Sequence, residues 1–265
     1  MKVTAQEWSL QFLLGKKNKV ACEKMKIIKR LIRRSLINLG YDIVVLEQAH
    51  PHNSLVDQLI SRKISVVLDV GGNIGQFAHH LRHFGYRNRI ISFEPVRTSF
   101  VRLRARADVD PSWEAVNLAL GSASSQTDIN VSKNFVSSSI RDNEDRNLAA
   151  EPTVEFIYTE SIKVEPLDKI FPRYVSLNDR PFLKVDVQGY ENEVFKGAES
   201  SLPYFEGIIL ECSFSSLYKG EWLFNEVLEF FTLRGFLLAE IEPAFVDPKT
   251  GELLQVNTLF WKSTR

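Results

Sequence analysis

Along most of the chain, short runs of β-branched apolar residues alternate with segments whose apolar residues recur every three or four positions. The first run, Ile64 to Val70, passes into the small-residue stretch Gly71-Gly72-Asn73-Ile74-Gly75. Leu55 to Arg62 reads as a short helix leading into it, and Phe77 to Phe84 as a helix after it, stopped by Gly85. Arg89 to Phe93 is a second apolar run ending in Glu94-Pro95; a helix over Thr98 to Ala107 and a strand over Trp113 to Leu118 follow. This β-α-β-α-β alternation predicts a parallel sheet with right-handed crossovers.

Between Ser122 and Asp179 the pattern loosens. Asp128 to Val131 and Ser161 to Val164 read as short strands around a polar loop with Ser137, Ser138, Ser139, Arg141 and Asp142, a candidate lid or substrate-binding element. Order returns with a strand at Phe182 to Val187, a helix at Glu191 to Ser200, a strand at Gly207 to Cys212 and a helix at Leu223 to Arg234 stopped by Gly235. Two strands close the chain, Phe236 to Ile241 and Thr258 to Lys262, joined by a linker over Pro243 to Gly251. Successive strands without an intervening helix imply an antiparallel pair. A mostly parallel twisted sheet with an antiparallel C-terminal strand is typical of Rossmann-like class I methyltransferases that use S-adenosylmethionine, and not of dehydrogenases.

Residues 1–60 differ from the rest and read as a basic helical N-terminal extension to a domain of residues 61–265. From Lys16 to Arg34 the only acid is Glu23, and Met25, Ile28, Leu31, Ile32 and Leu36 fall on one helical stripe, with Gly40 as its stop and a short strand at Tyr41 to Leu46. Such a helix could touch an anionic membrane surface weakly; packing its stripe on the main domain is the preferred reading, because amphipathic surface helices are common. At 265 residues, 44% hydrophobic and with no net charge, the chain can bury one substantial core and gives no global reason for a nucleic-acid partner. Cys22 and Cys212 are too few for a disulfide framework or a zinc site, in keeping with reduced thiols in the cytoplasm. No apolar run is long enough to span a bilayer, and the first residues lack a secretory signal pattern.

The glycine turn carries the first chemistry. Gly71, Asn73 and Gly75 stand at alternate positions, so the third small residue comes too early for a dinucleotide fingerprint. Asp69 before the turn would repel a pyrophosphate but could take the ammonium of an amino-acid moiety. Glu94, about 25 residues on, stands where a carboxylate accepts both hydroxyls of a ribose. Asn117-Leu118-Ala119-Leu120-Gly121 would lie beside the adenine. The candidate set for S-adenosyl-L-methionine is therefore Asp69, Gly71, Gly72, Asn73, Gly75, Glu94, Asn117, Ala119 and Leu120.

A second constellation lies at the ends of the later strands. Asp186 emerges at the carboxyl edge of the sheet, Glu191 opens a helix after Gly189, and Glu211 ends the next strand. One of these carboxylates could act as general base on an acceptor hydroxyl. Alternatively Asp186 with Glu211, or with Glu191, could hold a divalent metal such as Mg. Glu191 could equally do no more than cap its helix. His79 and His83 have metal-ligand spacing, but no Glu-x-x-His motif accompanies them, and with His80 they read as surface residues.

With these residues in view, the chain resembles the FkbM-type methyltransferases over residues 60–262. The resemblance is carried by Asp69 to Gly75, Ser92-Phe93-Glu94-Pro95, Ala119-Leu120-Gly121, the Ser137–Ser139 run, Leu183 to Glu191, and Gly251 to Asn257. It implies a class I S-adenosylmethionine-dependent enzyme that methylates hydroxyls, often on sugars or polyketide-type products. Gly72 stands where the family usually has alanine, Gln188 where it often has glutamate, and Asn257 where it often has aspartate. The expected function is O-methylation of a small molecule or a sugar or glycan, with a homo-oligomer compatible and no nucleic-acid partner. The alternatives are a nicotinamide-dependent oxidoreductase, which the glycine spacing disfavours, and a non-catalytic Rossmann-like binding module.

Overall fold

The computed structural model describes residues 55–263. The expected basic helix, its Gly40 stop and the short strand after it lie outside the described residues.

Helix α1 (Leu55–Ser61) leads into strand β1 (Val66–Val70), helix α2 (Gln76–His83), strand β2 (Arg89–Phe93), helix α3 (Arg97–Ala107) and strand β3 (Trp113–Val116). After an intervening region come strand β7 (Pro181–Val185), helix α6 (Glu191–Lys196), strand β8 (Gly207–Ser213) and helix α7 (Phe224–Leu233). The long strands β9 (Phe236–Val246) and β10 (Leu253–Lys262) close the fold. The main sheet has the order β3-β2-β1-β7-β8-β10-β9, with β10 antiparallel to both its neighbours. This is the expected α/β architecture, a parallel sheet with one reversed strand near its edge.

Strands β1 and β7 are buried at every position, as a parallel strand covered on both faces must be. Val66, Leu68 and Val70 face one core with Phe195, Phe231 and Phe260. Val67 faces the other, with Val56, Leu59, Leu81 and Leu103 from α1, α2 and α3. Asp69 shares the face of Val67 because side chains alternate along a strand. The parallel register sets Asp69 beside Ser92 on β2 and beside Lys184 on β7.

The region that looked loose is ordered. Strands β4 (Ala119–Leu120), β5 (Ser125–Ser132) and β6 (Phe156–Glu165) make a second sheet of order β4-β6-β5. Helices α4 (Asp145–Ala150) and α5 (Leu167–Tyr174) have no counterpart in the pattern reading; Pro172 inside α5 masks its periodicity. The first part of the expected linker over Pro243 to Gly251 is strand, because β9 runs on to Val246. Pro243 is tolerated because β9 is an edge strand with irregular register to β10, so a missing N–H costs little there. The helix at Glu191 ends at Lys196, with Gly197 as its cap, and not at Ser200. A Cβ at Gly197 would stand 2.0 Å from the carbonyl oxygen of Gly121, so that position is a close backbone crossing.

Candidate active site

The turn after β1 is built by its backbone. The N–H groups of Gly71 and Gly72 both donate to the Phe93 carbonyl, at 3.0 and 2.9 Å, which ties the end of β1 to the end of β2. Gly71 and Gly75 have φ of 77° and 87°, and Asn73 takes φ 46°. Asparagine tolerates this region because its side chain can bond locally; here Asn73 Oδ1 accepts from the Ile74 N–H at 2.7 Å. Glu94 sits beneath the turn, its Oε2 accepting from Asn73 N–H and its Oε1 from Val96 N–H, both at 2.8 Å. Burial pushes its carboxyl up to about 7, against the pull of those backbone bonds. Asn117 donates to the carbonyls of Glu94 and Pro95 at 2.9 and 2.8 Å. Ala119 and Leu120 bury their side chains in hydrophobic cores, so they can offer a ligand little beyond backbone.

Asp69 differs from its expected role. Its carboxylate is fully buried and cannot meet the ammonium of a ligand. Oδ2 accepts from the Ser92 hydroxyl at 2.7 Å, and Oδ1 lies 3.2 Å from Lys184 Nζ. The Trp113 indole donates to the same serine at 3.0 Å, extending the polar row to the edge strand. The cause is register: Asp69 points into the α2 face between the Ser92 hydroxyl, which donates to it, and the Lys184 ammonium, which neutralises it.

Lys184 is absent from the candidates that the sequence supports. Its Nζ donates to the carbonyls of Gly71 and Val70 at 2.8 and 3.3 Å and lies 3.6 Å from Asp186 Oδ2. Burial alone would lower its pKa, but the carboxylates of Asp69 and Asp186 outweigh it and raise the pKa above the usual lysine value. The available signal was a lone cation inside the otherwise apolar strand Pro181-Phe182-Leu183-Lys184-Val185, where an unpaired charge would be expensive.

At the end of β7 the chain brings all three predicted acids together, in different environments. The Asp186 side chain is 39% exposed, and its Oδ1 accepts from Gln188 Nε2 at 2.7 Å. The same Gln188 amide reaches Glu211 Oε2 at 3.2 Å, while its Oε1 accepts from the Tyr218 hydroxyl at 2.7 Å. Gln255 also donates to Glu211 Oε2, at 3.1 Å. Glu211 is raised well above the carboxylate range by burial and by the charges of Asp186 and Glu191. Glu191 is buried, with Oε1 accepting from Val187 and Gly189 N–H at 3.0 and 3.3 Å. It therefore holds the turn closed, the capping alternative, and burial pushes it up to about 7. Glu221 makes a similar lock, taking the N–H groups of Leu217 and Tyr218 and the Ser213 hydroxyl.

The metal reading does not fit these residues. An ion between Asp186 and Glu211 would occupy the place of Gln188 Nε2, a donor that already bonds both carboxylates. Among the described residues no group of three or more His, Cys, Asp or Glu is placed to hold an ion. His79, His80 and His83 are exposed on α2, as surface residues.

The serine loop connects the two halves of the site. Asn73 Nδ2 donates to the Phe135 carbonyl at 2.9 Å, and Ser139 Oγ donates to the Gln188 carbonyl at 2.6 Å. Residues 135–139 thus form a strap pinned to the glycine turn at one end and to the acid turn at the other. Its base is the pairing of Asn130 on β5 with Ser139.

A family model described as the methyltransferase FkbM domain matches residues 69–238, from the polar row on β1 into β9. The chain belongs to this FkbM methyltransferase family. Its sheet order, with β10 reversed between β8 and β9, is the arrangement of S-adenosylmethionine-dependent methyltransferases, and the nicotinamide alternative loses its support. Among solved structures the chain is similar to TehB from Haemophilus influenzae, with 12% identity and TM-score 0.43 over 79% of this chain and 61% of that one. It is also similar to a putative RNA methyltransferase from Pyrococcus horikoshii, with 9% identity and TM-score 0.41 over 80% and 81% of the two chains. An rRNA methylase from Streptococcus thermophilus gives 12% identity and TM-score 0.43 over 78% and 93%. None of these similarities bears on the acceptor. No curated protein matches the chain. Among the described residues no helix is long and apolar enough to cross a membrane.

Proposed function

We propose that this FkbM-family protein transfers a methyl group from S-adenosylmethionine to a hydroxyl oxygen of a small molecule or sugar. The observation that carries the reading is the strap: one loop bonds both the glycine turn and the acid turn, so a cofactor and an acceptor would share one cleft. In this reading Gly71, Gly72, Asn73 and Gly75 cradle the cofactor. Glu94 accepts the ribose hydroxyls through lone pairs left over from Asn73 and Val96, and Asn117 with the backbone of Ala119 and Leu120 borders the adenine. The cofactor supplies an electrophilic methyl group on a sulfonium. The chain's own work is to align the acceptor oxygen and to take its proton.

Asp186 is the candidate base, because it is accessible and Gln188 orients its carboxylate. Glu211 beside it, with its raised pKa, would be the reservoir for a shared proton. Domain boundaries follow the same reading, with residues 61–265 as the methyltransferase domain and the basic extension as an accessory. The test is calorimetric binding of S-adenosylhomocysteine and of NAD, followed by labelled methyl transfer to a panel of glycosides and nucleotide sugars. Binding of NAD without binding of the homocysteine compound sinks the reading. Binding without transfer to any acceptor favours a non-catalytic module.

A further inference from the structure

We infer that Lys184 is a positioning residue that makes the glycine turn and the acid turn one mechanical unit; this rests on the cofactor and base assignments above. A lysine present only to neutralise Asp69 would need one contact. This ammonium has four neighbours, two on each side of its charge chemistry. It donates to the carbonyls of Val70 and Gly71, the two residues at which β1 becomes the turn. It also lies between two carboxylates, 3.2 Å from Asp69 and 3.6 Å from Asp186.

The consequence for Asp186 is orientational. Gln188 holds Oδ1 and Lys184 faces Oδ2, so each oxygen of the carboxylate has its own partner, on different sides. The consequence for the turn is that the Gly71 carbonyl is fixed from β7, while its N–H is fixed from β2 through Phe93. Displacement of either turn therefore stretches bonds made by the same side chain. Asp69 in its turn is fixed by Ser92, so the row from Trp113 to Lys184 carries the restraint across four strands.

Hydrogen exchange separates this role from a merely structural one. In the full chain, Lys184→Met is made together with Asp69→Asn, so that no uncompensated buried charge remains. A structural role predicts faster exchange across the whole sheet, including β8 and β10. The positioning role predicts at least tenfold faster exchange confined to residues 70–75 and 186–190. It also predicts at least a tenfold loss of affinity for S-adenosylhomocysteine. Unchanged exchange at the two turns in the folded double variant overturns the inference. Should that variant not fold, the wild-type protein decides: saturating S-adenosylhomocysteine must slow exchange at 186–190 as well as at 71–75, and protection limited to 71–75 overturns it. If the wild type fails to bind the homocysteine compound while the variant shows the localised acceleration, the coupling stands and the cofactor assignment falls.

Discussion

Gly71 and Asp186 meet backbone to backbone: a Cβ on Gly71 would stand 1.8 Å from the carbonyl oxygen of Asp186. The same glycine has φ 77°, so side chain and backbone geometry forbid any other residue there together. The turn proposed to cradle the cofactor is thus packed directly on the strand end that carries the candidate base. Gly71→Ala is expected to push these two apart. The protein should lose on the order of 2–4 kcal/mol of stability, as strain at a special φ and an overlap in a packed region do. Affinity for S-adenosylhomocysteine should fall beyond calorimetric detection at temperatures where the variant is still folded. Thermal unfolding and calorimetry check the pair of outcomes; an alanine variant that binds normally would mean that the turn is free to move.

Stability should rise on mild acidification. Glu94 and Glu191 are buried, and each carboxyl is pushed up to about 7. Between the usual carboxylate range and about 7 the folded protein holds protons that the unfolded chain has released. Stability from this source is therefore present at low pH and is lost as pH rises through about 7. Each group contributes on the order of 3 kcal/mol at most. Glu165 works the other way, but Lys169, Ser124 and Lys163 hold it down at about 2, so its contribution is lost only in stronger acid. Without cofactor, the unfolding midpoint should be higher at pH 5.5 than at pH 7.5, and Glu191→Gln should shrink the difference. An unfolding midpoint that climbs steadily from pH 5.5 to 7.5 would contradict the assignment.

The main fold was legible because its signals are local. Short apolar strands, a glycine turn and the acids after β2 and β7 need no tertiary knowledge, and the reversed strand followed from two strands without a helix between them. The second sheet was half legible: β5 and β6 alternate, but β4 is two residues long and pairs with a strand far along the chain. In the candidate site, Glu94 and Asp186 were legible as strand-end acids; Glu211 was expected to end its strand, but β8 runs past it to Ser213. The burial of Asp69 was not legible, since it depends on which residues stand beside it on β2 and β7. Lys184 stood out as a lone cation in an apolar strand, but its partners were hidden for the same reason. Register is a property of strand pairing, and a single strand does not encode it.

Transfer should be indifferent to chelators. The space between Asp186 and Glu211 is bridged by the Gln188 amide, whose orientation is set by the Tyr218 hydroxyl donating to its oxygen. Turning the amide over to present its oxygen to a cation would break three hydrogen bonds. With EDTA in excess the transfer rate should stay within about twofold of the untreated rate, because nothing in this donor set recruits a divalent ion. A rate abolished by EDTA and restored by Mg would overturn this. Gln188→Glu is the informative variant, since it adds the missing oxygen donor, and only there should added Mg have an effect.

The division of labour among the acids gives the last expectation. Asp186 is the accessible carboxylate, whereas Glu191 spends both its bonds on Val187 and Gly189. Asp186→Asn keeps the shape and the bond to Gln188 through its carbonyl, and removes the ability to take a proton together with the charge that faces Lys184. The transfer rate should fall by about 10²–10⁴, the usual worth of a positioned general base, while affinity for S-adenosylhomocysteine stays within about threefold. Glu191→Gln removes a charge that touches only backbone. It should cost less than about tenfold in rate, through a looser turn, since a glutamine oxygen can still accept from both N–H groups. Labelled-cofactor assays and calorimetry on the same preparations decide the order. A larger loss in Glu191→Gln than in Asp186→Asn would move the base from the strand end to the helix start, and with it the direction from which the acceptor must approach.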